Sequence, residues 1–473
     1  MQLPDLLLQS IEHTKGFDKT AFEEVHASGE QVVSVRVNPL KLSIVNGQLS
    51  MVNSQPAGSN NQQPIHHSPF TIHSPVPWSS SGYYLSQRPS FTLDPLLHAG
   101  TYYVQEASSM FLEQAVKQSG DLSQPLLVLD LCAAPGGKST LLQSIISNDS
   151  LLVSNEVIQT RVNILKENII KWGAGNVVVT NNDPSAFSKL HGLFDVVVID
   201  APCSGSGLFR RDADAINEWS EANVQLCSQR QQRILADVWN CLKEDGVLIY
   251  STCSYSAEED EEILDWIEEN CKVESIKLKV EEEWNIDEVQ STAGAYGYRF
   301  WPYKVKGEGF FIAAFKKKEE PDALRLKIKT TQLASKQEAA IAANWINSTG
   351  GLTFIKQGQN IAAIPTQWNE TIQYLMQELK VRYAGVELGT IAKNDLLPEH
   401  ALALSTIISS SAIRVKLSKE QALDYLRKNE MTVDSQHKGW ALATYQQRPL
   451  GWMKLLGNRI NNYYPKEWRI LMR

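Results

Sequence analysis

Apolar and polar residues alternate in a regular order through the middle of the chain. Short apolar runs, which predict strands, are separated by stretches with the apolar spacing of amphipathic helices. The predicted strands cover residues 126–131, 151–155, 177–180, 194–200 and 247–251, and the predicted helices cover residues 138–146, 158–172 and 222–242. The run at 194–200 is almost continuously apolar, which is typical of a parallel strand covered on both faces. This order predicts a doubly wound α/β sheet with ligands at the carboxyl ends of its strands.

The residues before this region follow a different pattern. Helical spacing between residues 3 and 27 and a strand at 32–37 predict an N-terminal α+β extension over residues 1–100. Within it, residues 47–75 are rich in Ser, Asn, Gln, Pro and His, which predicts a flexible insertion. Its three histidines, His66, His67 and His73, fit a polar loop better than a metal site, so we expect no metal.

The residues after the central region divide into two predicted parts. A strand at 310–315 closes the central α/β region, predicted at 101–318, and the charged run Lys316–Pro321 predicts a linker. Residues 322–395 predict a small α+β domain, and residues 396–473 predict a last domain with strands near 413–417 and 440–445. That domain ends in basic and aromatic residues: Trp452, Lys454, Arg459, Tyr463, Tyr464, Lys466, Trp468, Arg469 and Arg473. Such a mixture suits RNA binding, and it equally fits the core of a small β-barrel.

Composition narrows the class of protein. The chain has 473 residues, a formal net charge of −8 and six cysteines without C-x-x-C pairs, which is neither a disulfide framework nor a zinc pattern. The charge argues against a general nucleic-acid coat protein but is compatible with a local basic groove. No run of about 18 apolar residues and no signal peptide are present, so we expect a cytoplasmic protein without a membrane partner. The acidic run Glu258–Glu262 fits a helix N-terminus.

A glycine turn, Pro135-Gly136-Gly137, lies between the first predicted strand and its helix. It lacks the G-x-G-x-x-G dinucleotide fingerprint, and Cys132 stands where a P-loop needs glycine. Two interpretations stay open: a nucleoside without a phosphate chain, such as S-adenosylmethionine, or a structural turn in another α/β enzyme. Asp130 is placed to meet a charged amino-acid end, and Glu156 follows the next strand, where an acid binds ribose hydroxyls in such folds.

Two cysteines follow two neighbouring strands. Cys203 lies in Asp200-Ala201-Pro202-Cys203-Ser204-Gly205, and Cys253 lies in Ser251-Thr252-Cys253-Ser254. Methylation of carbon 5 of a pyrimidine fits such a pair, because a thiolate that adds to carbon 6 makes carbon 5 nucleophilic. A base must then remove the carbon-5 proton, and the target base must be unstacked to enter the crevice. Asp200 is placed to stabilise the adduct near ring nitrogen 3 and the exocyclic amine.

These motifs resemble the Sun-type RNA cytosine-5 methyltransferases, and within them the bacterial subgroup that modifies 16S ribosomal RNA. The resemblance covers residues 30–318. It is carried by Arg36-Val37-Asn38-Pro39, Tyr103–Met110, Leu129–Thr140, Asp200–Gly207, Ser251–Ser254 and Gly307–Phe311, and a further likeness runs from Leu456 to Trp468. It implies a class I, Rossmann-like methyltransferase core and a C-terminal PUA-like RNA-binding domain.

The resemblance also assigns residues to the site. It implies that Cys253 is the nucleophile and that Cys203 assists product release, with Asp200 and Lys138 completing the catalytic set. The implied S-adenosylmethionine contacts are Cys132, Ala133, Ala134, Pro135, Gly136, Gly137, Lys138, Glu156, Arg161, Asp183 and Asp200. The implied partner is 16S ribosomal RNA, free or within the small subunit, and we expect a monomer.

Three alternatives differ in their predictions. A transfer RNA methyltransferase would use the same site on another RNA. A catalytically silent RNA-binding assembly factor would not need Cys203 and Cys253, both of which are intact. A P-loop ATPase is opposed by Cys132.

Overall fold

The computed structural model describes residues 3–45, 48–51, 71–212, 214–322, 327–329, 331–457 and 459–472. The N-terminal elements are α1 (Asp5–Ile11), α2 (Lys19–Ala27), β1 (Ser34–Val37), β2 (Leu42–Val45), β3 (Gln48–Met51), β4 (Ile72–Pro75), β5 (Gly82–Leu85), α3 (Pro95–His98) and β6 (Tyr102–Val104). The predicted N-terminal helix is thus two helices. Strands β4, β5, β1 and β6 form one sheet, so this sheet continues past the domain boundary predicted at residue 100.

The central region carries the elements that the apolar runs predict. They are α4 (Leu112–Ser119), β7 (Leu127–Asp130), α5 (Gly137–Ile145), β8 (Leu151–Asn155), α6 (Gln159–Trp172), β9 (Val177–Thr180), β10 (Phe194–Asp200), α7 (Ala215–Glu218), α8 (Glu221–Val238), β11 (Leu242–Thr252), α9 (Glu261–Asn270), β12 (Val273–Ser275), β13 (Asp287–Gln290), β14 (Tyr296–Phe300) and β15 (Phe310–Lys317). Strands β8, β9 and β10 have the predicted bounds.

The C-terminal elements are α10 (Lys336–Ala343), β16 (Leu352–Gln357), β17 (Asn360–Pro365), α11 (Asn369–Glu378), β18 (Val381–Ala384), β19 (Val386–Ala392), β20 (Asp395–Pro398), α12 (His400–Leu404), β21 (Arg414–Lys416), α13 (Lys419–Arg427), β22 (Gly439–Tyr445), β23 (Arg448–Leu455) and β24 (Ile460–Asn462). Strands β16, β17, β19 and β20 form one sheet, and β21 to β24 form another. Strand β18 instead pairs with β9 of the central sheet.

Five parallel strands, in the order β11–β10–β7–β8–β9, form the middle of the central sheet. Alternate residues of these strands enter two hydrophobic clusters, one on each face: Val128 and Val198 pack in one cluster, and Leu129 and Ile199 in the other. Burial on both faces explains why these runs are apolar throughout. The predicted doubly wound fold is confirmed.

Two predictions about connecting segments need correction. Lys316 and Lys317 do not belong to a linker but to β15, where Lys317 is buried and donates to the carbonyls of Trp239 and Leu242 at 2.9 and 3.0 Å. The hydrogen bonds to these carbonyls replace those that the Lys317 ammonium group would make with water. Lys317 can therefore be buried in a strand, although the charged run predicted a linker. The predicted flexible insertion at 47–75 contains the strands β3 and β4 near its two ends, and its residues 47 and 52–70 lie outside the described residues.

No helix in the described part of the chain is long and apolar enough to cross a membrane.

Candidate active site

From β7 the chain adds β8 and β9 on one side of the sheet and then β10 and β11 on the other, so the strand order reverses between β7 and β10. The carboxyl ends of β7, β10 and β11 therefore open at the same edge of the sheet, next to this switch point. The glycine loop (residues 131–136) follows β7, the Cys203 loop (residues 201–205) follows β10, and Cys253 follows β11. The fold thus brings the three chemical motifs to one crevice.

Strand β8 and helix α6 hold the glycine loop. The Ala133 N–H donates to the Asn155 carbonyl at 2.8 Å, and the Arg161 guanidinium donates to the Ala134 carbonyl at 2.7 Å. Gly136 has a φ of +113°, in the left-handed region that favours glycine, and α5 begins at the next residue. The glycine turn is therefore a sharp connection between β7 and α5, as its sequence predicts.

Three carboxylates surround this loop. Burial raises the pKa of the Cys132 thiol, and the nearby carboxylates of Asp130, Asp200 and Glu156 raise it further. Asp130 is fully buried; its Oδ2 accepts the Ser139 hydroxyl at 2.6 Å, and its Oδ1 has no hydrogen-bond partner among the described residues. Burial raises the pKa of Asp130 to about 7. Carboxylates in this arrangement repel a phosphate chain and favour a cation, which opposes the P-loop alternative.

Glu156 is buried at the carboxyl end of β8. Its Oε1 accepts the Ile158 N–H at 2.9 Å, and its Oε2 lies 3.3 Å from the Arg161 guanidinium. Arg161 therefore joins Glu156 to the glycine loop. Asp183, another predicted cofactor contact, lies past the end of β9, where it accepts the Ser185 N–H at 3.1 Å and pairs with Arg233 at 3.5 Å. The cofactor roles of these residues stay predictions.

The sulfur atoms of Cys203 and Cys253 lie 3.0 Å apart. The hydrogen bond with Cys253, together with burial, raises the pKa of Cys203 well above its usual value. The Cys203 thiol therefore keeps its proton while it is hydrogen-bonded to Cys253.

A lysine–aspartate pair lies beside these thiols. Lys138 Nζ, on the first turn of α5, is 2.7 Å from Asp200 Oδ2, and the Ser251 hydroxyl donates to Asp200 Oδ1 at 2.9 Å. Burial lowers the pKa of Lys138, but Asp200 and Cys253 raise it, and the net change is upward. Lys138 therefore carries a positive charge close to both Asp200 and the Cys253 thiol.

The acidic run lies at the start of α9, as its sequence predicts, but Glu259 within it has buried contacts that the sequence analysis does not predict. The residue is fully buried before α9, where its carboxylate accepts hydrogen bonds from Ser204 and Ser254. A sequence signal for this burial is the helical spacing of four and eight residues from Glu259 to the buried Ile263 and Ile267, although α9 itself begins at Glu261. This helical spacing is hard to recognise in the sequence because all residues from Glu258 to Glu262 are acidic.

Arg36 is a second buried residue whose contacts were not predicted. Its guanidinium, on β1, donates to the Gln105 side chain at 2.8 Å, to the Thr140 carbonyl at 3.2 Å and to the Gly137 carbonyl at 3.2 Å. Burial lowers its pKa to about 9. Arg36 therefore joins the N-terminal sheet to the first turn of α5.

Among the described residues, no group of His, Cys, Asp and Glu side chains could hold a metal ion. The site instead suits a cationic nucleoside. S-adenosylmethionine carries a sulfonium and an ammonium charge, which match the unpartnered Asp130 oxygen and the carboxylates around the glycine loop. The fold and this site define an S-adenosylmethionine-dependent methyltransferase with a paired-thiol centre.

Comparisons with known proteins agree with this class. Family profiles match residues 3–107 (N-terminal domain of 16S rRNA methyltransferase RsmF), 121–316 (16S rRNA methyltransferase RsmB/F) and 412–470 (methyltransferase RsmF PUA domain). The ribosomal RNA small subunit methyltransferase F of Psychromonas ingrahamii is 30% identical over 92% of this chain and 90% of its own, and that of Shewanella oneidensis is 29% identical with the same coverage.

The crystal structures of PH0851 and of NSun6 from Pyrococcus horikoshii show the same fold. Their TM-scores are 0.56 and 0.50, at 23% and 18% identity over 67% of this chain, and the matches cover 66% and 99% of those chains. The chain belongs to the RsmB/F family of 16S rRNA methyltransferases, and within it to the RsmF type with N-terminal and PUA domains. The predicted family, enzyme class and cofactor are confirmed.

Proposed function

We propose that this chain methylates carbon 5 of a cytosine in 16S ribosomal RNA, with Cys253 as the nucleophile and Cys203 as the residue that releases the product. The observation that carries the proposal is the thiol pair, 3.0 Å apart, beside the Lys138–Asp200 pair at the switch point. Bound S-adenosylmethionine supplies the methyl group.

The residues of the glycine loop fit the binding of this cofactor. The unpartnered Asp130 Oδ1 suits its ammonium group, and the buried Glu156, held by Arg161, suits its ribose hydroxyls. The positions of these two carboxylates at the carboxyl ends of β7 and β8 support the cofactor contacts predicted for them from the sequence.

The addition step uses the ionised Cys253. Its sulfur forms a bond to carbon 6, and the electron pair of the carbon 5–carbon 6 double bond makes carbon 5 the nucleophile that takes the methyl group. The Asp200 carboxylate, fixed by Lys138 and Ser251, can accept a hydrogen bond from the exocyclic amine of cytosine. The positive charge of Lys138 stabilises the Cys253 thiolate before the addition.

The release step uses Cys203. The hydrogen bond with Cys253 is the largest cause of the raised pKa of Cys203, and this cause disappears once Cys253 is bonded to carbon 6. Cys203 then ionises more readily and can take the carbon-5 proton. The electron pair of the C–H bond re-forms the double bond, and the carbon–sulfur bond breaks, which returns its electron pair to Cys253.

The two roles can be separated with alanine variants incubated with 16S ribosomal RNA and S-adenosylmethionine. Cys203→Ala should methylate the base and then retain the RNA, which denaturing electrophoresis detects as a slow, heat-stable band. Cys253→Ala and the double variant should give neither band nor product. Cys271→Ala, which removes a thiol next to α9, is the control and should behave like the wild type. A band with Cys253→Ala would exchange the roles, and two active variants without a band would contradict the covalent mechanism.

The substrate also has its own test. The family profiles name 16S ribosomal RNA, which favours this RNA over transfer RNA. We further infer that the protein works in the cytoplasm and as a monomer. Bisulfite sequencing of total RNA from a deletion strain and its parent should show one or more 16S cytosines that lose protection in the deletion strain. Loss confined to transfer RNA would overturn this choice of substrate.

A further inference from the structure

One buried carboxylate lies between the two cysteine loops. Glu259 Oε1 accepts the Ser204 backbone N–H at 2.7 Å, and Oε2 accepts the Ser254 hydroxyl at 2.6 Å and also the Ser204 hydroxyl. Ser204 and Ser254 directly follow Cys203 and Cys253 in the chain. A single side chain therefore holds the residue that follows each of the two thiols.

The Cys253 side of this arrangement has strong support besides Glu259. Strand β11 ends at Thr252, one residue before the thiol, and is paired on both sides: Ser251 with Asp200 of β10, and Thr252 with Phe311 of β15. The Thr252 hydroxyl also donates to the buried Asp260 at 2.6 Å. The position of Cys253 is thus largely set by the sheet.

The Cys203 side depends more on Glu259. Strand β10 ends at Asp200, so Cys203 lies three residues beyond the sheet. Glu259 supplies two hydrogen bonds at Ser204, and Gln231 of α8 adds one to the Pro202 carbonyl at 3.1 Å. Gln231 itself is 3.4 Å from Glu259 Oε1, so it belongs to the same cluster.

We propose that Glu259 is a positioning residue that holds Cys203 against Cys253 and thereby controls product release. The inference rests on the proposed two-thiol mechanism. Without the carboxylate, Cys253 can still add to carbon 6 and the base can still be methylated. The Cys203 sulfur, however, is no longer held where it can take the carbon-5 proton, so the carbon–sulfur bond to Cys253 persists and the RNA stays attached.

The first test compares substitutions of Glu259 in the full-length protein with 16S ribosomal RNA and S-adenosylmethionine. Glu259→Ala should accumulate methylated, covalently bound RNA, with turnover lowered on the order of a hundredfold, because a misplaced reacting group has an effect of this size. Glu259→Gln keeps an oxygen for the Ser204 N–H and should restore most of the release. Glu258→Ala, which alters the neighbouring carboxylate outside this cluster, is the matched control and should turn over normally.

A pair of serine variants shows which side of the cluster matters, and it serves if Glu259→Ala does not fold. Ser204→Ala removes a Glu259 contact only on the Cys203 side, and Ser254→Ala removes one only on the Cys253 side. Ser204→Ala should increase trapped RNA relative to Ser254→Ala. Equal trapping, or more trapping with Ser254→Ala, would overturn the proposal.

The second test needs neither RNA nor cofactor, so it stays informative if the proposed function fails. Diamide oxidises two adjacent thiols to a disulfide and takes up their two hydrogen atoms, and peptide mapping locates the bond. The wild type and Glu259→Gln should form the Cys203–Cys253 disulfide rapidly, whereas Glu259→Ala should form it several-fold more slowly. An unchanged rate in Glu259→Ala would overturn the positioning role. A wild type that forms the disulfide but neither methylates nor traps RNA would contradict the proposed function instead.

Discussion

Asp130 is a buried carboxyl group with one oxygen left for a ligand. In the folded protein, burial raises its pKa from 3.8 to about 7, so it is largely protonated at mildly acidic pH. Two further carboxylates, Asp200 and Glu156, lie near Asp130, and Asp130 Oδ1 makes no hydrogen bond to the described residues. A bound cation with N–H groups would offset this negative charge and donate the missing hydrogen bond. Such a group favours ligand binding at some expense of the stability of the ligand-free protein.

This arrangement predicts opposite pH dependences for folding and for cofactor binding. Because the folded state holds the Asp130 proton more tightly than the unfolded chain, the stabilisation is fully present below about pH 4 and is lost as the pH rises through about 7. Binding of cationic S-adenosylmethionine should strengthen over pH 6 to 8, as the carboxylate ionises. Thermal unfolding and titration calorimetry at several pH values measure both effects.

Asp130→Asn should remove the pH dependence of cofactor binding and the part of the pH dependence of stability that comes from Asp130. Glu308→Gln is the matched control: burial raises the pKa of Glu308 to about 7 as well, but Glu308 lies outside the glycine loop. This variant should alter the pH dependence of stability and leave that of cofactor binding intact. A pH dependence of binding that survives in Asp130→Asn would contradict the role given to Asp130.

At the scale of elements, the apolar pattern predicted the central strands closely, because residues buried on both faces leave a continuous apolar run in the sequence. Strands β8, β9 and β10 follow this rule. The positions of Arg36 and Lys317 were not predictable in the same way, because their burial depends on partners far along the chain. Arg36 contacts residues that lie about 70 and 100 positions further along the chain, and no local sequence pattern can predict contacts at such a separation.

The Arg36 contacts make the first turn of α5 dependent on the N-terminal sheet. Arg36→Lys should lower the melting temperature and weaken S-adenosylmethionine binding, because an ammonium group cannot satisfy the several acceptors that the planar guanidinium reaches. We expect a loss of about 2 kcal/mol in the free energy of unfolding, since buried acceptors stay unpaired. Arg88→Lys, at an exposed position of the same extension, is the control.

Equal melting temperatures for Arg36→Lys and wild type would show that the N-terminal sheet does not stabilise α5. A lower melting temperature with unchanged cofactor affinity would separate the two effects and assign Arg36 to folding alone.

At the scale of the whole molecule, the predicted parts are joined rather than separate. Strand β18 extends the central sheet, and β20 crosses the boundary predicted at residue 396. Ala99 of the N-terminal region packs in one cluster with Val415 and Met453 of the last domain. Trp452 of the last domain packs in one cluster with Ile361 and Leu388 of the preceding domain. These shared contacts were not visible in the sequence, where charge and composition change abruptly between segments.

The basic and aromatic end of the chain divides into buried and exposed residues. Trp452 and Tyr464 are buried in the packing of the last domain, whereas Arg459, Lys466 and Arg469 are exposed. This division leaves the three cations accessible to phosphate groups and places Trp452 and Tyr464 in the core, whereas Tyr463 is exposed. RNA affinity should therefore be tested by substitution of the exposed cations, because a cut at residue 396 would break the β19–β20 pair.

The triple variant Arg459→Ala, Lys466→Ala, Arg469→Ala should bind 16S ribosomal RNA more weakly, and the loss should shrink as salt is added. Each lost phosphate contact lowers the slope of log affinity against log salt by about 0.7 to 0.9. Filter binding at several salt concentrations gives this slope, and single-turnover methylation at saturating RNA should stay near the wild-type rate, because the cysteine crevice is untouched. The control is Lys336→Ala, which removes a cation from the first turn of α10. A salt slope equal to that of the wild type would show that these three residues do not contact the RNA backbone, and RNA affinity would then have to come from other surfaces of the molecule.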